Sequence, residues 1–306
     1  MHHQDRQAVL QPHVGSDLAR TVALLRRRSR YPQTIFMADT EALSPVDLET
    51  LRGMRQRGEK IACLTCYDAS FTQLLESAGV ELFIVGDSLG MVLLGHASTV
   101  PVTMDDMVYH AASVARAGRC AFRVVDLPYG SYASPEQALA NARRLMDAGG
   151  ADMVKLEGGA GMAATVRHLV EQGIPVCGHI GLLPQSVDEP GGYRVQGRDE
   201  AGAAAILADA RALQEAGAGL LVMECIPAAL GARVTASVAI PTIGIGAGPH
   251  CDGQVLVLHD MLGITMGRRP RFVKDFLQDG GSIAGAVRAY VSAVKGGSYP
   301  APEHGY

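Results

Sequence analysis

The 306-residue sequence has no tryptophan, and aromatic side chains make up only 5% of it. That poverty excludes a surface of stacking platforms for unpaired bases. An excess of one charge is missing too. Lysine and arginine (27) nearly balance aspartate and glutamate (31), for a formal net charge of −4. No basic face advertises a nucleic acid, so a small molecule is the expected partner. No apolar run reaches the ~18 residues of a membrane-spanning helix, and the N-terminus lacks the apolar core of a secretory signal. The expected location is the cytoplasm. Cysteines number 6, and Cys63, Cys120, Cys177 and Cys225 lie in apolar runs, where buried reduced thiols are expected. Cys63 and Cys66 have C-x-x-C spacing, but residues three apart on a strand point to opposite faces, and no second pair completes a zinc site.

What abounds is glycine, 36 residues in a sequence that is 48% hydrophobic, which suits an α/β protein with many tight turns. From Lys60 onward one pattern recurs: an apolar run, a polar residue, then glycine or proline. It occurs at Val85-Gly86-Asp87-Ser88, Val125-Asp126-Leu127-Pro128, Val154-Lys155-Leu156-Glu157-Gly158, Val176-Cys177-Gly178-His179-Ile180-Gly181 and Val222-Met223-Glu224-Cys225. Strands are expected near 60–66, 82–86, 121–126, 152–157, 174–179, 219–224, 241–245 and 254–258. Helices are expected near 68–78, 103–117, 134–148, 162–172, 199–216 and 227–237, with closing helices at 252–262, 269–276 and 281–295. Ser134-Pro135 opens a helix as cap plus N1 proline, and Ser44-Pro45 is expected to open another through Arg57. Alternating β–α units with Val/Ile-rich strands imply a parallel sheet. Seven or eight units favour a closed (β/α)₈ barrel over an open doubly wound sheet, spanning 45–306 as one catalytic domain. Residues 1–44, with Arg26-Arg27-Arg28-Ser29-Arg30, are expected to form a mobile extension, and Met37 is a candidate initiator. The irregular stretch Leu182–Arg198 follows the fifth strand, where barrel loops cover active sites. It is expected to be a lid hinged at Gly191-Gly192.

Side-chain alternation groups Phe83, Val85 and Asp87 on one face of the second strand, Val124 with Asp126, Lys155 with Glu157, and Val222 with Glu224. Four carboxylates and a lysine would then meet at one mouth, and charges there must be paired or bind an ion. A structural ion-pair ring is the plain alternative. Oxygen-only donors favour a hard cation such as Mg²⁺. Such a cation would chelate a 2-oxo acid and acidify its adjacent C–H, with a nearby carboxylate as base and Lys155 beside the developing enolate. Ser88 and the amides that follow suit a carboxylate, and a capping serine suits the spacing equally. A lone His179 reads as a satisfied structural group or as a proton-transfer residue, and His96 and His110 as structural. Ile243-Gly244-Ile245-Gly246-Ala247-Gly248 lacks dinucleotide spacing and is expected to let backbone approach a ligand.

Several segments together resemble the ketopantoate hydroxymethyltransferase family: VGDSLGM (85–91), STVPVTMDDMVYH (98–110), ADMVKLEGG (151–159), PVCGHIGLLPQSV (175–187), GGYRVQGR (191–198) and IPTIGIGAGPHCDGQVLVLHDMLG (240–263). The resemblance runs over roughly Lys60–Gly297. It implies a (β/α)₈ barrel of the phosphoenolpyruvate/pyruvate-utilising type. It also implies hydroxymethyl transfer from 5,10-methylenetetrahydrofolate, as co-substrate, to 3-methyl-2-oxobutanoate, giving 2-dehydropantoate for pantothenate synthesis. By motif, Asp87, Asp126 and Glu157 would hold Mg²⁺. Asp87, Ser88, Asp126, Lys155 and His179 would line the substrate site, with Ser88 and Lys155 on the oxo acid and His179 near the one-carbon unit. Glu224 would be the base. A homodecamer of two pentamers is implied. Ala97, Leu183 and Cys66 depart from the family pattern without removing a ligand or base. The alternatives are an Mg²⁺-dependent lyase or isomerase of another 2-oxo acid, which would turn over without folate, and a non-catalytic metabolite-binding barrel, which would lack one of the three acidic ligands.

Overall fold

The computed structural model describes residues 44–186, 194–265 and 269–306. The proposed extension 1–44 (apart from Ser44) and the Gly191-Gly192 hinge fall outside them. Among the described residues, eight parallel strands close into a barrel in sequence order: β1 (Ile61–Thr65), β2 (Leu82–Val85), β3 (Phe122–Asp126), β4 (Met153–Glu157), β5 (Val176–Gly181), β6 (Leu220–Glu224), β7 (Thr242–Ile245) and β8 (Gly253–Leu256). β1 pairs with both β2 and β8, which closes the ring.

The first helix among the described residues, α1 (Leu48–Gln56), starts later than Ser44-Pro45 suggested. Asp47 is its N-cap and accepts from the Thr50 N–H at 2.8 Å. The reason is tertiary: the Val46 N–H donates to the Cys120 carbonyl at 2.7 Å, which ties the preceding residues to the entry of β3. Leu51 and Met54 of α1 pack with Ile61, Leu82, Phe122, Met153 and Leu220 inside the barrel and plug its lower end. Arg55 caps the same end. Its guanidinium donates to the Thr235 and Val238 carbonyls and pairs with Asp252, which also accepts from the Thr242 N–H at 2.8 Å.

The outer helices are α2 (Ala69–Ser77), α3 (Leu89–Val92), α4 (Met104–Ala117), α5 (Pro135–Asp147), α6 (Ala163–Glu171), α7 (Glu200–Glu215) and α8 (Ala228–Ser237). Ser134 caps α5 as expected, accepting from the Gln137 N–H at 3.2 Å. Gln137 reaches back to the Ala133 N–H rather than to that of Ser134. Thr103 and Asp106 close a full capping box on α4, satisfying amides that an α-helix start leaves unpaired.

Three local expectations are corrected. The segment 252–262 is not one helix: it gives β8 and then the short α9 (Leu258–Met261). Residues 269–276 form no helix, and the short α10 (Leu277–Gly280) follows them before α11 (Ile283–Lys295). Phe276 packs edge-on against Tyr290 and Tyr299, and the Phe272 carbonyl, in the same buried outer core, accepts from the Tyr299 hydroxyl at 2.6 Å, so packing rather than helical period places them. Finally, Phe83 and Val85 face outward to the helices, whereas Leu82 and Ile84 fill the interior. Asp87 therefore reaches the mouth because the chain turns after Val85, not by strand alternation. Cys63 and Cys66 do separate, the first into the interior cluster and the second into the outer one.

Candidate active site

The carboxyl ends of the strands present Asp126 on β3, Lys155 and Glu157 on β4, His179 on β5 and Glu224 on β6. Strand register sets their neighbours. Asp126 is level with Lys155, Glu157 with His179, and Glu224 with Gly181. Asp87, Asp126, Lys155, Glu157 and His179 are only 3–6% exposed, so none of their charges is diluted by bulk water.

The contacts form a chain. The Asp87 N–H donates to Asp126 Oδ2 at 3.2 Å. Lys155 Nζ lies 3.1 Å from Asp126 Oδ1 and 3.4 Å from His179 Nδ1. His179 spans two acids, with Nδ1 3.3 Å from Glu157 Oε1 and Nε2 3.3 Å from Glu224 Oε2. Asp126 Oδ1 and His179 Nε2 have these ionic neighbours but no aligned hydrogen bond. The Glu224 side chain is the most open of the group, 13% exposed. Directly after it, Cys225 adopts φ 49°, a left-handed conformation rare outside glycine. The Cys225 N–H donates to the Ile245 carbonyl at 2.9 Å, so the chain bends sharply at the proposed base.

Electrostatics follow from this burial. Burial and the charges of Asp126 and Glu157 push the Asp87 carboxyl well above the ordinary carboxylate range. Burial also raises Asp126, against the pull of Lys155. Burial opposes ionisation of Glu157 as well, but the hydrogen bond and charge of His179, with Lys155, hold it below its usual value. Burial disfavours a charged Lys155, yet Asp126, Glu157 and Asp87 keep it protonated far above its usual value. For His179, burial and Lys155 oppose the charge, while Glu157 and Glu224 push its value up to about 9. Four carboxyl groups thus face one lysine and one histidine, an excess of acidic groups whose mutual repulsion, with burial, is what raises Asp87.

Among the described residues, no three His, Cys, Asp or Glu side chains are drawn together closely enough to hold a metal ion. Mg²⁺, however, needs only one or two carboxylates and keeps waters or substrate oxygens elsewhere. Adjacent Asp87 and Asp126, the unaligned Asp126 Oδ1 and the excess of carboxyl groups over cations fit that requirement. Glu157 is engaged on both oxygens, by His179 Nδ1 and by the Gln185 N–H at 3.0 Å.

Ser88 heads α3 without making a cap bond. Its Oγ pairs instead with the Tyr67 hydroxyl at 2.8 Å. His110 Nδ1 lies 2.8 Å from the Tyr67 carbonyl, so it supports Tyr67. The glycines of 243–248 make room for the protein itself. A Cβ at Gly244, Gly246 or Gly248 would meet Cys251, Phe272 or Ala228 at 2.7, 2.7 and 2.5 Å. Sequence reasoning missed Tyr67, Tyr132 and Gln185. Tyr67 stands just past β1 in the strand-end pattern applied to the other strands, and Gln185 lies in the 182–198 loop that had been singled out as a whole.

Gly181 is paired with Glu224 across β5 and β6 and packs against its backbone. It has φ +94°, and a Cβ there would stand 2.2 Å from the Glu224 carbonyl oxygen. Gly181→Ala is expected to lower stability by about 2 kcal/mol or more, from left-handed strain plus displaced backbone. A urea midpoint within ~0.2 M of wild type would contradict this, given the usual m-values.

The sequence model of the family described as ketopantoate hydroxymethyltransferase matches residues 45–302. A 3-methyl-2-oxobutanoate hydroxymethyltransferase of Thiobacillus denitrificans is 60% identical over 263 residues, covering 86% of this chain and 100% of that protein. One from Paraburkholderia phymatum is 59% identical over 261 residues, covering 85% and 96%. Among solved structures, phosphonopyruvate hydrolase superposes with a TM-score of 0.55 at 10% identity, over 71% of this chain and 83% of that one. The 2,3-dimethylmalate lyase of the PEP mutase/isocitrate lyase superfamily gives 0.52 at 17% identity, over 69% and 81%. These two show a shared barrel fold. Taken with the strand-end residues at its mouth, the match over nearly the whole barrel means that this chain belongs to the ketopantoate hydroxymethyltransferase family.

Proposed function

We propose that this chain transfers a hydroxymethyl group from 5,10-methylenetetrahydrofolate to 3-methyl-2-oxobutanoate, giving 2-dehydropantoate for pantothenate synthesis. The observation that carries the reading is the series of buried Asp126, Lys155 and His179 leading to the partly open Glu224 at the barrel mouth of a member of this family. Asp87 and Asp126 would hold Mg²⁺, and Glu157 adds its charge to the same site. Bound there, Mg²⁺ would supply Lewis acidity that polarises the substrate's keto group. Ser88, steadied by Tyr67, and Lys155 orient the oxo acid. Glu224 removes the C3 proton, and His179 holds Glu224 in place through Nε2. The Lys155 ammonium stabilises negative charge on the enolate oxygen. C3 then bonds to the folate-derived one-carbon unit. The bonds from that carbon to the two folate nitrogens break, and one water supplies the hydroxyl oxygen and the protons that release tetrahydrofolate; His179 would lie on that side of the pocket. The buried walls keep bulk water away from the enolate, so that the one water the transfer consumes is not joined by others that would reprotonate C3.

The same family reading carries a decamer of two pentamers and a cytoplasmic location. No helix among the described residues is long and apolar enough to cross a membrane. The function is tested by product formation from the oxo acid. Activity is expected only when both folate and a divalent cation are supplied, and EDTA should abolish it. Turnover of the oxo acid in the absence of folate would replace this reading with a lyase or isomerase.

A further inference from the structure

Gln185 lies in a turn after β5 (Pro184–Ser186), outside every strand, yet it is only 3% exposed. Its side-chain amide and its backbone N–H are committed to the acidic mouth. Its Nε2 donates to Asp87 Oδ2 at 2.7 Å and to the Leu127 carbonyl at 3.0 Å. Its backbone N–H donates to Glu157 Oε2 at 3.0 Å. The Tyr132 hydroxyl donates to its Oε1. The amide can face only one way, because a carboxylate and a carbonyl accept and cannot donate. One residue thus grips acids delivered by two different strands, β2 and β4, and ties them to the ends of β3 and its following loop.

From this geometry we infer that Gln185 is a positioning residue for the cation site. Resting on the Mg²⁺ reading above, the inference is that its side-chain amide fixes the rotamer of Asp87 while its backbone fixes Glu157. Asp87 is then presented beside Asp126 before any cation arrives. Tyr132 acts through Gln185 by locking the amide. An isolated Asp87 would be free to turn, and the cost of reorienting it would be taken from cation affinity.

The test is Mn²⁺ binding to the full-length protein without substrate, followed by electron paramagnetic resonance, since a hard-oxygen site that takes Mg²⁺ also takes Mn²⁺. Gln185→Met keeps side-chain length and the backbone bond to Glu157 but removes the bond to Asp87. It is expected to weaken Mn²⁺ by about tenfold or more, as losses in a ligand's supporting shell do. Tyr132→Phe should weaken it by about threefold, the effect of one neutral hydrogen bond. The double variant should bind no more weakly than Gln185→Met alone, because Tyr132 has nothing left to hold. Unchanged Mn²⁺ affinity in Gln185→Met would overturn the inference and leave the metal reading standing. If Gln185→Met fails to fold, unchanged affinity in Tyr132→Phe would overturn it. Wild-type protein that binds no Mn²⁺ would overturn both together.

Discussion

Glu224→Gln is expected to slow C3 hydrogen exchange of 3-methyl-2-oxobutanoate, and turnover, by about 10²–10⁴-fold, the usual contribution of a positioned general base. Glutamine matches the shape and keeps an acceptor oxygen for His179 Nε2, 3.3 Å from Glu224 Oε2 in the native protein. It cannot accept the substrate proton. Oxo-acid binding should change little, because Ser88 and Lys155 remain. Exchange is followed by NMR in deuterium oxide with Mg²⁺ and without folate, which isolates proton removal from carbon transfer. Exchange at the wild-type rate in the variant would remove Glu224 as the base and leave the neighbouring acids to be tried in turn.

The second large effect is on stability. Lys155→Met retains the apolar stem and removes the ammonium, leaving Asp126 with no cation at 3.1 Å and Asp87 and Glu157 beside it. Both partners are nearly sealed, with side chains 6% and 4% exposed. Breaking one side of such a pair costs about 3–5 kcal/mol, chiefly from the charge left unpaired. Urea denaturation at neutral pH measures it. Asp126 already has a raised folded-state value, and losing Lys155 raises it further. A carboxyl whose folded value lies above its unfolded value gains stability as pH falls, because the folded state binds the extra proton. The penalty of Lys155→Met should therefore shrink on acidification through the raised carboxylate values. A loss below ~1 kcal/mol at neutral pH would mean that the charge cluster is hydrated rather than buried.

Much of the barrel was legible because its signals are local. A strand's two-residue period and a helix start such as Ser134-Pro135 are written within a few positions, and the expected strands and principal helices lie within about two residues of those found. The alternation Val124/Asp126 and Val222/Glu224 likewise brought those acids to the interior. It failed at β2, where Phe83 and Val85 turn outward and Asp87 enters only after the chain leaves the extended state. The helix expected at 269–276 is also missing, because Phe276 is placed by the distant rings of Tyr290 and Tyr299 and Phe272 by the Tyr299 hydroxyl on its carbonyl. The resemblance supplied roles for Asp87, Asp126, Lys155, Glu157, His179 and Glu224, but not the way each is held.

The sequence by itself determined the order of β–α units and which polar residues stand at strand ends. Periodicity and turn chemistry act between near neighbours, so they survive without a fold. Only the tertiary structure decided the partners of those residues. Gln185 and Asp87 are 98 positions apart along the chain, and Arg55 meets Asp252 across 197. No local preference encodes such a meeting. It follows from closing the ring, which brings eight strand ends to one mouth and makes any unpaired charge there too costly to leave alone.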